Sequence, residues 1–261
     1  MRSISSRWTS VRALLGVTVL SCAISACSTT ETLSTPQPIK ASDLNMELGV
    51  DYFRRGDLAT AKEKLDKAVE QNPRNARAHA AAGLLYDRLN QPEQSDEHFK
   101  KAISLDDKNP EILNNYAVIL CKRGKAAQGE KYFLQAASNP LYKTPEVAYL
   151  NAGNCANDAG DLAEAETYYR KALAGNPRFA SALVGMANLE YRQKNFLAAR
   201  GFLERYLEAG RTDASVLWLA LRIEKGLGND AAVRSYTQRL KSEYPHAAET
   251  QALLESERTS G

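Results

Sequence analysis

From Ser42 to Pro245 small and large apolar residues recur on a 34-residue beat. Leu48, Gly49 and Tyr52 are answered by Ala82, Gly83 and Tyr86, and Ala68 is answered by Ala102 and then Ala136. No alternating β-branched run competes with this pattern, so it predicts helices throughout. Gly-Asp at 56–57 and again at 160–161 marks a turn inside each unit. Pro73, Pro177 and Pro245 stand where a second helix should stop, since proline ends a helix at low cost just beyond its last turn. Each unit is therefore predicted to be a helix A, a turn and a helix B. The beat slips by two residues within SNPLYKTPE, between the third and fourth units.

A 34-residue helix–turn–helix period resembles the tetratricopeptide repeat (TPR). With Ser42 as position 1, the first repeat supplies Leu48, Gly49, Tyr52, Ala61, Leu65, Ala68 and Pro73 at the pattern positions. The second, from Ala76, keeps Gly83, Tyr86, Phe99 and Ala102 but has Ser95 at position 20, where alanine is expected. The third, from Pro110, has Leu113, Ala117, Phe133 and Ala136, with Gly129 at position 20. After the slip, Glu146 opens a fourth repeat, and weaker ones begin at Ala180 and Ala214. The reason for the pattern is packing. Helices that cross closely need Gly or Ala at positions 8, 20 and 27, and larger side chains fill the layers between them. The expected fold is an all-α TPR superhelix of six repeats over 42–245, with residues 246–261 as a C-terminal helix or tail.

The N-terminus follows a different pattern. Residues 1–12 carry Arg2, Arg7 and Arg12 with no acid, and Ala13 to Ile24 is mostly apolar. That is the layout of a bacterial export signal, and the apolar run is shorter than the roughly 20 residues a spanning helix needs. Ile24-Ser25-Ala26-Cys27 resembles a lipoprotein lipobox, whereas Cys22 follows Val19-Leu20-Ser21 and fits less well. Residues 1–26 are thus read as a signal peptide. Cys27 is read as the lipidated first residue of the mature chain, and 27–41 as a Ser/Thr/Pro-rich tether. Ser28 after the cysteine favours the outer membrane. An ordinary secretory signal cut nearby is the alternative. Three of the 34 basic residues fall in the signal, which leaves 31 basic and 31 acidic residues in the rest. A neutral mature chain gives no electrostatic reason to bind nucleic acid.

In a TPR solenoid, helix A lines a concave groove with positions 2, 5, 6, 9, 12 and 13. Here the first two repeats place Met46, Val50, Phe53, Leu84 and Arg88 there, an apolar end with a basic edge. Later repeats place Asn114, Asn115, Val118, Asn151, Asn154, Asn157, Asn188 and Tyr191, and then Trp218 and Arg222. Asparagine both donates and accepts, which suits the backbone of an extended peptide. Cys121 and Cys155 occupy positions 12 and 10 of neighbouring A helices. An exported protein can oxidise such a pair, but one position faces the groove and the other faces away, so two separate thiols are expected. His79, His98 and His246 are expected to stand apart, without partners at metal-ligand spacing. No G-x-S-x-G, P-loop or G-x-G-x-x-G is present. No enzyme chemistry is expected, and no cofactor beyond the lipid on Cys27.

NNYAVILCKRGK (114–125), ASNPLYKTPEVAYLNAG (137–153) with its insertion, ARGFLERYLEAG (199–210) and LKSEYPHAAET (240–250) resemble the type IV pilus biogenesis and stability lipoproteins, the PilF/PilW pilotin family. The resemblance runs along essentially the whole chain. It implies a right-handed TPR superhelix on the periplasmic face of the outer membrane, binding the pilus secretin and assisting its localisation or multimerisation. A general periplasmic TPR scaffold for barrel-assembly or cell-wall enzymes would share the lipobox and groove but not the NPLYKTP insertion.

Overall fold

A computed structural model describes residues 38–260, apart from 209 and 211. Cys27 and the signal peptide lie outside the described residues. Thirteen helices and no strands are found among the described residues. The first twelve form hairpins in chain order: α1 (Pro38–Arg55) with α2 (Leu58–Gln71), α3 (Ala76–Arg88) with α4 (Pro92–Leu105), and α5 (Pro110–Lys122) with α6 (Ala126–Ala137). They continue with α7 (Pro145–Ala159) and α8 (Leu162–Gly175), α9 (Ala180–Arg192) and α10 (Phe196–Leu207), and α11 (Ala214–Gly226) and α12 (Asp230–Glu243). α13 (Ala248–Ser260) follows and seats Leu253 against Leu217, Leu221 and Leu240. No described helix is long and apolar enough to cross a membrane.

The turn inside each hairpin needs one residue in the left-handed region. Gly56, Asn90, Gly124, Gly160, Lys194 and Gly228 supply it. Successive members are 34 residues apart, save for the two extra residues between Gly124 and Gly160. Several helices start on a side-chain cap, among them α2, α3, α8 and α12. The carboxylate of Asp57 accepts from the Thr60 N–H at 3.1 Å, and the Asn75 amide oxygen accepts from Ala78 N–H at 3.1 Å. Such a cap contributes about 1 kcal/mol.

Close crossing of A and B explains the small residues. Ala61, Ala68, Ala102, Ala136, Ala165 and Ala172 are fully buried, and Phe99 and Phe133 fill the layers between them. A Cβ on Gly83 would stand 2.6 Å from the Phe99 ring, so α3 can lie against α4 only where that side chain is missing. The two-residue insertion is an anchored turn. The Asn139 carbonyl accepts from Tyr142 N–H at 3.0 Å, the Asn139 amide donates to the Lys108 carbonyl, and Tyr142 is buried with Leu113, Ala136 and Ala148.

Two expectations are corrected by the fold. The tether reading for 27–41 runs too far, because α1 begins at Pro38. Cys121 and Cys155 are not separate thiols: they form a disulfide joining α5 to α7, with Cα atoms 5.6 Å apart. The helical wheel placed them on different faces of their own helices. The offset between successive A helices nevertheless brings position 12 of one against position 10 of the next.

Candidate functional site

The C-terminal ends of α1, α3 and α5 enclose a pocket of about 480 Å³ lined by Phe53, Leu58, Leu84 and Ile119, with Arg54, Arg88 and Lys122 around it. Phe53, Leu84 and Arg88 were placed in the groove by their positions in the repeat. Arg54, Ile119 and Lys122 were missed, although Arg54 and Lys122 share position 13 with Arg88 and could have been found from that spacing. Val50 on α1 is half-buried. Met46 is corrected: it is 3% exposed and packs with Ala61, Leu65 and Ala82, so it belongs to the core. The same position in the next three repeats, held by Ala80, Asn114 and Leu150, is buried too, so it faces the neighbouring helices and not the groove.

The asparagines are largely engaged in ties within the solenoid. Asn114 is buried and its amide oxygen accepts from Asn151 at 3.0 Å, linking α5 to α7. Asn154 accepts from the Tyr169 hydroxyl at 2.8 Å, and Asn157 accepts from Arg192 at 2.5 Å. Asn188 donates to the Val184 carbonyl one turn back on its own helix. Asn115 and Val118 are half-buried on α5. An amide has more than one bonding position, so exposed members such as Asn154 and Asn188 keep capacity for a ligand. Open apolar surface, however, lies elsewhere, at the N-terminal pocket and in a second concavity near the C-terminus.

A second concavity, of about 710 Å³, is lined by Tyr191, Phe196, Trp218, Arg222 and residues of α12 and α13. Its arginine is already occupied. The Arg222 guanidinium lies 4.4 Å from the centre of the Tyr191 ring and donates through Nε to the Tyr191 hydroxyl.

His79 and His98 do not stand apart. Their Nδ1 atoms are 3.1 Å apart across α3 and α4. His79 Nε2 lies 3.2 Å from the Pro73 carbonyl, so that nitrogen carries the hydrogen and Nδ1 accepts from His98. His98 stacks on Tyr86, whose hydroxyl donates to Asp66 at 3.0 Å. Burial holds both imidazoles below their ordinary pKa, and for His98 the neighbouring His79 adds to it. Among the described residues, no group of three or more His, Cys, Asp or Glu is arranged to hold a metal ion.

Stacked helical hairpins with alanine and glycine at the crossings define a protein of the TPR class, and residues 46–110, 98–131 and 156–222 match tetratricopeptide repeat models. The type IV pilus assembly protein PilF of Pseudomonas aeruginosa is 30% identical over 212 residues, 81% of this chain and 84% of that protein. The crystal structure of PilW, described as a widely conserved type IV pilus biogenesis factor, superposes with a TM-score of 0.75 at 30% identity, covering 82% of this chain and 98% of that one. A P. aeruginosa PilF structure gives 0.72 at 29% identity, covering 84% and 99%. The chain belongs to the PilF/PilW family of TPR proteins of type IV pilus biogenesis.

Proposed function

We propose that the protein is a pilotin. Lipidated at Cys27 and held on the periplasmic face of the outer membrane, it binds the pilus secretin and promotes its localisation or multimerisation. It acts by binding, without catalysis and without a cofactor other than the lipid. The observation that carries this reading is similarity to pilus biogenesis proteins along nearly their whole length, in a solenoid that keeps an open apolar pocket on its A helices. A secretin segment seated there would have its apolar side chains covered until neighbouring subunits close the ring, which is what suppresses misassembly of exposed apolar surface.

The test is a blot of unboiled outer-membrane fractions for the secretin in a deletion strain. Loss of the heat- and detergent-resistant ring, restored by the wild-type gene and not by Cys27→Ser, is the expected result. Normal rings without the gene would sink the proposal and leave a general periplasmic scaffold. Within the protein, Val50→Asp should lower ring yield with folding intact, because a carboxylate one turn before Phe53 on α1 opposes burial of an apolar anchor.

A further inference from the structure

Arg54, Arg88 and Lys122 occupy the same place in three successive repeats, 34 residues apart, in the last turns of α1, α3 and α5. A cation there complements the negative end of the helix dipole, and Arg192 does so at the same place in α9. Arg192, however, is held by Asn157 at 2.5 Å. Among the described residues, Arg54, Arg88 and Lys122 make no ion pair, and all three border one pocket. The acid in that lining, Asp87, is engaged by Arg123 at 2.7 Å, which also holds Asp96. Three uncompensated positive charges therefore surround a floor of Phe53, Leu84 and Ile119.

We infer that this pocket recognises an acidic, extended segment of a partner protein, with one aliphatic or aromatic anchor on the floor and carboxylates facing the three cations. The inference rests on the reading above, that the A-helix face receives a partner segment, and it adds the chemistry of that segment. Packed helices lie about 8–10 Å apart, and an extended chain in the polyproline II conformation rises about 3.1 Å per residue and returns its side chains to one face every three residues. One cation per repeat thus matches one carboxylate at every third residue. Anionic lipid is the other chemistry that three cations attract, but a recessed apolar floor suits a side chain better than a flat array of headgroups.

The probe is a labelled synthetic peptide with a leucine anchor and aspartate at every third position, compared with its asparagine counterpart by fluorescence anisotropy on the whole chain in detergent. At low salt the aspartate peptide should bind about tenfold more tightly. The preference should disappear at about 1 M salt and in the exposed triple variant R54Q/R88Q/K122Q. Equal binding of both peptides by the wild type overturns the proposal, as does a preference that survives in the triple variant. So does cation-dependent sedimentation with phosphatidylglycerol vesicles in a protein that shows no peptide preference. In the secretin blot, normal rings with the triple variant but not with Val50→Asp would remove the acidic segment and leave the groove. Normal rings with both would remove both.

Discussion

Ser95 and Gly129 hold the same position in successive repeats, and both replace the alanine that the TPR pattern expects. Their outcomes are opposite. Ser95 is fully buried in α4 and its hydroxyl finds no hydrogen-bond partner among the described residues. Gly129 leaves a gap in α6, and the gap is filled from α5: a Cβ at Gly129 would stand 2.5 Å from Cys121 Sγ and 2.9 Å from the Ala117 carbonyl. The disulfide holds that sulfur in place, so Cys121 and Gly129 are two halves of one packing arrangement. A departure from a repeat pattern is therefore a defect or a device depending on what stands opposite it.

The largest effect should come from breaking the bridge. Closing a loop of 34 residues restricts the unfolded chain by about 3–4 kcal/mol. Cys121→Ala with Cys155→Ala should lower stability by about that much in denaturant titrations, and wild type in reductant should follow. Next, Gly129→Ala in the oxidised protein should cost about 1–3 kcal/mol through overpacking. In the double-cysteine variant that penalty should shrink, because the sulfur is gone. Equal penalties in the two backgrounds would separate the glycine from the bridge. In the opposite direction, Ser95→Ala should stabilise by about 1 kcal/mol, since it removes a hydroxyl buried without a partner.

The smallest effect concerns His98, one turn beyond Ser95. With its folded-state pKa below the free value of about 6.5, the neutral ring contributes stability above that pH. That contribution is lost as pH falls towards the lowered folded value. Thermal melts of His98→Gln should therefore fall less steeply than wild type on acidification below about pH 6.5. Parallel curves for the two proteins would show that the imidazole pair does not sense pH.

The repeat architecture was legible because each helical hairpin carries its own signals: a small residue at each crossing, a left-handed turn residue, and an aromatic or leucine between layers. The turn signal was only half read. Gly-Asp pairs marked two of the six turns, while Asn90 and Lys194 take the same left-handed conformation without glycine. The candidate site was legible to the same depth. Position numbers found Phe53, Leu84 and Arg88, but they placed Met46 outside the core. That position is buried in the next three repeats as well, at Ala80, Asn114 and Leu150, because the rotation of each A helix against its neighbours turns it inward.

By itself, the sequence determined the helical content, the hairpin order and the place of the insertion, because these follow from side chains within one or two turns of each other. Only the tertiary structure decided which residues of different helices meet: Cys121 with Cys155, His79 with His98, Asn114 with Asn151, and three cations around one pocket. Such meetings depend on the offset and rotation between successive helices. Those are set by the summed packing of many side chains, and no single helical wheel contains them.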